Sequence, residues 1–264
     1  MPSVSEGTLD RILEHEAGDL TCAVEAELRL SALQEALEPH GQMLALDPPG
    51  DPTIGACLAA NLSGPRRHRY GTMRDLVIGV TVVLPDGTVA NSGGKVVKNV
   101  AGYDLGKLFC GSKGGLGRIV RLSLRLHPEP AASATVVAAP DPVAALAVLR
   151  SPLVPSAVDV HWPERLALRF EGSERAVEAQ VEAARGLIGA EPAGEEVWVD
   201  AAERQARAGG RLSFTPGALA GVLSAEEEAI VRVSAGVAYV SHDVPDPRDP
   251  AEIALVDRIA AAFA

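Results

Sequence analysis

Between Arg118 and His127 the chain alternates with period two: Val120, Leu122, Leu124 and Leu126 on one side, Arg121, Ser123, Arg125 and His127 on the other. Such a strand needs a sheet with one face in a core and the other in water, the arrangement of antiparallel sheets. Two further segments read the same way. Leu20, Cys22, Val24 and Ala26 alternate with Thr21, Ala23 and Glu25, and a strand from Leu76 to Leu84 returns through the turn Pro85-Asp86-Gly87 as Thr88 to Ser92. Pro128 and Pro130 stop the Arg118 strand. The segment 128–140, with three prolines among small residues, marks a domain boundary between residues 1–130 and 131–264.

Helices fill the intervals. Ser31 and Gln34 have capping-box spacing, Leu33, Ala36 and Leu37 make an apolar stripe, and Gly41 stands where that helix should end. Thr53 caps a second helix through Ile54, Leu58 and Leu62, kept slim by Gly55, Ala56, Ala59 and Ala60. In the second part Asp141 and Pro142 start a helix to Arg150, strands follow at Ala157 to His161 and Arg165 to Glu171, and Ser173 caps a helix carrying Val177, Val181, Ala184 and Ile188. That β-α-β-β-α order predicts an α+β layer of helices on an antiparallel sheet. Beyond Gly189 one helix stands out, begun by Asp249 and Pro250 and carrying Ile253, Val256, Ile259 and Phe263.

The charge balance narrows the partners. With 24 basic against 35 acidic side chains the chain carries a net charge of −11, which repels a nucleic-acid backbone and an anionic membrane alike. No apolar run approaches the ~20 residues of a membrane span, and Met1 to Asp10 lacks the pattern of a signal peptide. The three cysteines, Cys22, Cys57 and Cys110, are odd in number and far apart, as expected of reduced, buried thiols in the cytoplasm. His15, His40, His68, His127, His161 and His242 include no pair at metal-ligand spacing, so no metal is expected.

Chemistry is most plausible between Asp47 and Val120, where Gly, Asn, Ser and Pro crowd between well-formed strands. Exposed N–H groups at the start of the Thr53 helix and in the glycine loops would suit an anionic, carbonyl-rich ligand such as a nucleotide cofactor. Neither G-x-G-x-x-G nor G-x-x-x-x-G-K-[ST] occurs, which disfavours a nicotinamide Rossmann domain and a P-loop NTPase. Arg66, Arg67 and Arg69 form the basic cluster beside these loops, able to attract a carboxylate or phosphates, or, as an exposed loop, to balance nearby acidic charge or dock a partner. Asp104 could accept a proton or cap a helix. No residue stands out as catalytic.

In order along the chain, D-P-P-G-D-P-T-I-G from Asp47, A-N-L-S-G-P-R-R-H-R-Y-G from Ala60, M-R-D-L-V-I-G-V-T-V-V-L-P-D-G from Met73, G-G-K-V-V-K-N-V-A-G-Y-D-L-G-K-L-F from Gly93 and G-S-K-G-G-L-G-R-I-V from Gly111 resemble the flavin domain of the vanillyl-alcohol oxidase and p-cresol methylhydroxylase family, nearest its glycolate oxidase E-subunit branch. The resemblance covers about the first half of the chain. It implies a partial FAD-binding PCMH-type domain at 1–130, followed by a smaller α+β cap-like domain with an antiparallel sheet at 131–264. By analogy Pro48, Thr53, Ile54 and Gly55 would lie along the flavin and ribityl chain, and Asn61, Ser63 and Gly64 near the ribityl or pyrophosphate. Tyr70, Gly71, Asp75 and Val77 would border the cofactor, and Gly114, Gly117 and Ile119 would approach its adenosine end.

Relatives carry an R-G-G-G-T type pyrophosphate loop upstream of the segment beginning at Leu9, a closing N-P-G-R type segment, and often Glu where Lys113 stands. Without these, the expectation is non-covalent FAD held weakly or not at all. The resemblance further implies a cytoplasmic oxidoreductase component that oxidises a 2-hydroxy acid such as glycolate together with a catalytic flavin subunit and an iron–sulfur subunit. The alternative is a non-catalytic, flavin-poor remnant serving subunit assembly. In either case the chain alone should not turn over glycolate, and Gly55→Val should impair cofactor binding more than folding.

Overall fold

The structure, a computed structural model, describes residues 9–93 and 105–245. Its first half runs β1 (Ile12–Glu16), β2 (Thr21–Glu25), α1 (Leu30–Leu37), β3 (Gln42–Met43), α2 (Ile54–Ala60), α3 (Arg67–Tyr70), α4 (Met73–Leu76), β4 (Val77–Val83), β5 (Val89–Gly93), α5 (Leu105–Phe109), β6 (Arg118–Arg125) and β7 (His127–Pro128). Five strands form one antiparallel sheet in the order β1-β2-β6-β4-β5. The alternating strand is central. Leu122 lies opposite Val24 and Val80, and Leu124 opposite Cys22 and Val77, so one apolar row crosses three strands. That row packs on Leu33, Leu37, Ile54, Leu58, Met73 and Phe109 from the helices. A one-residue slip of β6 would turn its leucines to water, and their burial therefore fixes the register.

Local signals behave unevenly. Thr53 caps α2, its Oγ1 accepting from Ala56 N–H at 3.2 Å. The capping box at Ser31 and Gln34 does not form. Arg29 occupies the N-cap of α1, Ser31 bonds through N–H and Oγ to the Asp51 carboxylate, and Gln34 exchanges two bonds with the Leu44 backbone. Gly41 ends a 3₁₀ turn over Glu38–His40 that extends α1, and it takes the left-handed conformation at φ 62°. Leu76 belongs to a helical turn, so the hairpin begins at Val77.

Cys22 and Cys57 are buried, and burial pushes both thiols up to about 12. Burial also raises the thiol of half-buried Cys110 above its ordinary value. Because the thiolate is the reactive form, maleimide at neutral pH is expected to modify Cys110 first and the other two only after unfolding, as read by peptide mass mapping.

The second half runs β8 (Ala132–Ala138), α6 (Pro142–Arg150), β9 (Ala157–Trp162), β10 (Arg165–Gly172), α7 (Glu174–Ile188), β11 (Glu191–Ala193), α8 (Glu196–Ala206), β12 (Gly210–Ser213), α9 (Leu219–Ala225), β13 (Ala229–Arg232) and β14 (Val237–Val240). Seven of its strands make an antiparallel sheet in the order β11-β8-β10-β9-β13-β14-β12. The expected β-α-β-β-α order is present, with Asp141 capping α6 through bonds from Val143 and Ala144 N–H. Ala132–Ala138, inside the segment read as a domain boundary, is a sheet strand. Its three alanines pair with β10, and Thr135 to Val137 pair also with β11 on the other side. The helix expected from Asp249 lies outside the described residues.

The two faces of this sheet differ. Val136, Val158, Val160, Leu166, Leu168 and Phe170 point into a core shared with α6, α7 and α9. Alternate positions on β9, β10 and β13 place Asp159, His161, Arg169, Glu171 and Arg232 on the opposite face, all buried. Helix α8 covers part of that face, with Val197 and Trp198 packed on Ala157 and Ala167. The rest meets the Ser63 to Tyr70 segment of the first half. Among the described residues, no helix is long and apolar enough to cross a membrane.

Candidate functional site

Helix α2 organises the loops singled out in the sequence, but its N-terminus is fully occupied. Ile54 N–H donates to the Leu28 carbonyl at 2.9 Å and Gly55 N–H to the Ala26 carbonyl at 2.7 Å, while Ala56 N–H is taken by Thr53. Those N–H groups do not face an anion. Gly55 is glycine because a Cβ there would sit 2.8 Å from both the Cβ and the carbonyl oxygen of Ala26. Ile54 is core and Pro48 is buried. Thr53, Ile54 and Gly55 therefore have packing and capping roles, contrary to the expectation that Gly55 keeps backbone clear for a ligand.

The other end of α2 is different. Asn61 ends the helix in the left-handed conformation at φ 48°, and the glycine loop folds over it. Gly111 N–H donates to the Leu58 carbonyl at 3.0 Å and Lys113 N–H to that of Ala59 at 2.8 Å. At this junction Asn61 Oδ1 and Ser112 Oγ are buried without a hydrogen-bond partner among the described residues. Buried polar atoms nearly always find a partner, so orphans on these two adjoining segments mark where a polar ligand or water belongs. Gly114 lies beyond them, exposed at φ +83° with open space around its Cα. The set fits a cofactor rich in hydroxyl, phosphate and carbonyl groups.

The remaining expected residues divide. Ser63 and Gly64 form a tight turn: Ser63 Oγ accepts from Arg67 Nη1 at 3.0 Å, and a Cβ on Gly64 would overlap the Asp47 carbonyl oxygen. Gly117 presses on the Val83 carbonyl, and Ile119 is core. Asp75 closes a capping box with Thr72 at the exposed start of α4, Gly71 ends α3 at φ +86°, and Val77 packs against the first core. Tyr70 meets His127 edge to face at 5.0 Å, and burial with the Glu171 carboxylate nearby raises its hydroxyl above the ordinary value. Asp104 lies outside the described residues, as does most of the Gly93 motif.

The basic cluster is consumed internally. Arg66 donates through Nε and Nη2 to the Glu171 carboxylate at 3.0 and 2.7 Å, and Arg69 donates to the Glu171 carbonyl at 2.8 Å. His68 pairs with Ser234 Oγ at 2.7 Å. Arg66 balances acidic charge, while Arg67 and Arg69 bond to the Ser63 hydroxyl and a backbone carbonyl.

Their partners, which sequence reasoning missed, belong to a buried ionic seam. Arg232 is bonded to Asp159 and to Gln205 Oε1, Arg169 pairs with Glu195 and stacks on Trp198 at 4.7 Å, and the Asp47 carboxylate lies 3.8 Å from Arg169 Nη1. Burial pushes the Asp47 carboxyl up to about 6 against the pull of Arg66, Arg169 and Arg232, and drives His161 down to about 3, leaving that imidazole neutral. A signal lies in the sequence: Asp159 and His161, then Arg169 and Glu171, alternate with apolar residues inside the expected strands. Among the described residues no three His, Cys, Asp or Glu side chains could hold a metal ion together.

Residues 3–93 match the family described as FAD binding domain. The chain is 32% identical over 200 residues to glycolate oxidase subunit GlcE of Escherichia coli, an alignment covering 74% of this chain and 56% of that protein. It is 34% identical over 158 residues to D-lactate dehydrogenase (cytochrome) 1 of Saccharomyces cerevisiae, covering 60% of this chain and 27% of that one. The chain thus spans little more than half of the first relative and about a quarter of the second. A solved alkyldihydroxyacetonephosphate synthase superposes at TM-score 0.70 and 15% identity over 97% of this chain and 63% of that one, a likeness of fold. Through residues 3–93, the chain is similar to the family described as FAD binding domain.

Proposed function

We propose that this chain is an FAD-binding component of a 2-hydroxy-acid oxidising system of the glycolate oxidase kind, working in the cytoplasm with a catalytic flavin subunit and an iron–sulfur subunit. The observation that carries the cofactor reading is the pair of partnerless buried atoms, Asn61 Oδ1 and Ser112 Oγ, where α2 meets the glycine loop inside a family-matched fold. We place the non-covalent cofactor against Asn61, Ser63, Gly64 and Gly114, with Pro48, Thr53, Ile54, Gly55, Tyr70, Gly71, Asp75, Val77, Gly117 and Ile119 as the frame around it. FAD, when bound, would supply the two-electron chemistry. Asn61 and Ser112 would give it hydrogen bonds, and Gly114 would let backbone approach it. The proposed division keeps the cofactor on residues 1–130 and a cap-like sheet on 131–264.

A specific observation limits the chemistry assigned to the chain alone. Oxidation of a 2-hydroxy acid needs a cation for the carboxylate and a base near the hydroxyl. Arg66 and Arg69 are already held by Glu171, which favours activity only on reconstitution with partners and keeps the flavin-poor assembly role as the second reading. Titrating FAD fluorescence with protein tests both. Saturable quenching that weakens several-fold in Asn61→Ala and Ser112→Ala is expected, and no quenching at high micromolar protein would leave the assembly role.

A further inference from the structure

The turn at Ser63–Arg66 reaches the second half through Glu171 of β10 and Gln205 of α8, and one residue of the first half braces it. Asp47 precedes Pro48, and both of its carboxylate oxygens accept from the Arg66 backbone N–H, at 3.1 and 3.2 Å. Its carbonyl is the surface on which Gly64 packs without room for a Cβ. Across the seam its carboxylate faces Arg169, which is itself held by Glu195 and Trp198. Gln205 of α8 then donates to the Ser63 carbonyl at 3.2 Å while accepting from Arg232, and Glu171 holds the Arg66 guanidinium. The turn's hydrogen bonds run to Asp47, to α3, which continues it, and to Glu171 and Gln205 of the second half.

We propose that Asp47 is a positioning residue for the FAD site, registering the Ser63–Arg66 turn against the second sheet; this rests on the FAD reading above. The backbone conformation of a turn is set by whichever groups its N–H and carbonyl can reach, and here the carboxylate is the acceptor for the Arg66 N–H. Losing a charge-assisted bond frees the turn to shift, and a displacement of well under an ångström at Ser63 and Gly64 weakens contacts to a rigid cofactor. The second half thereby shapes a site it need not touch.

The test compares wild type, Asp47→Ala, Asp47→Asn and Leu46→Ala at pH 7.5 by FAD fluorescence titration, by thermal melting of the ligand-free proteins, and by amide exchange at Arg66. Leu46 is a buried core neighbour, so its variant reports destabilisation without loss of the carboxylate. Asp47→Ala should raise the FAD dissociation constant by about tenfold and speed Arg66 exchange. Asp47→Asn, which keeps one acceptor, should recover most of the affinity, and it carries the test if the alanine variant does not fold. Leu46→Ala should melt earlier yet bind within about twofold of wild type. Wild type that binds FAD while the Asp47 variants bind equally well would overturn this inference alone. Equal weakening in Leu46→Ala would reduce Asp47 to general stability and overturn it too. Absence of binding in wild type would overturn both this and the FAD reading.

Discussion

Gly55→Val is expected to lower the melting temperature of the ligand-free protein by on the order of 10 °C. The added Cβ would stand 2.8 Å from the carbonyl oxygen and Cβ of Ala26, in the segment leaving β2. That segment cannot yield cheaply, because its carbonyl accepts from Gly55 N–H and the Leu28 carbonyl accepts from Ile54 N–H. Relief must come from separating α2 from the five-stranded sheet, which exposes Ile54, Cys57 and Leu58, all 0% exposed in the fold. Overpacking against backbone costs about 3 kcal/mol, and for a domain of this size each kcal/mol moves the midpoint by roughly 2–4 °C. Gly114→Ala makes the contrast. It meets open space but keeps a left-handed φ of +83°, so only about 1–2 kcal/mol of local strain is expected. Differential scanning fluorimetry on both variants separates the two cases. A Gly55→Val protein that melts like wild type would show that α2 can move off β2.

How much of this was legible in the sequence depends on which force fixes each element. The Arg118 strand, the hairpin after Val77 and the caps at Thr53 and Asp141 were readable because period-two burial and helix capping are local patterns. The Ser31 capping box failed because Asp51, twenty residues away, offers Ser31 a carboxylate acceptor for both of its donors. Ala132–Ala138 does not read as a strand because alanine and serine have weak strand preference, and it is pairing with β10 that holds them in one. The candidate site was half legible. The resemblance marked Asn61, Ser63 and Gly64, but that Gly55 serves Ala26 and that Arg66 serves Glu171 are tertiary facts, with 105 residues separating the latter pair.

Arg66→Ala is expected to destabilise the protein by about 3–5 kcal/mol, the cost of leaving one member of a buried ion pair alone. Glu171 is 0% exposed at its side chain and takes two hydrogen bonds from Arg66, so the truncated variant strands a carboxylate inside the seam. Arg69 cannot replace the lost charge without abandoning the Glu171 carbonyl. The double variant Arg66→Met with Glu171→Leu should recover most of the loss, since two apolar groups of similar volume remove the uncompensated charge together with its partner. Arg118→Ala supplies the comparison. That residue also pairs with a glutamate, Glu27, but at side-chain exposures of 65% and 48%, where an ion pair contributes roughly 0–1 kcal/mol and is screened by salt. Urea unfolding of the four proteins at low and high ionic strength measures these costs. If Arg66→Ala loses no more than Arg118→Ala, Arg66 is not a latch between the sheets, and its guanidinium becomes available to an anion in the cofactor site.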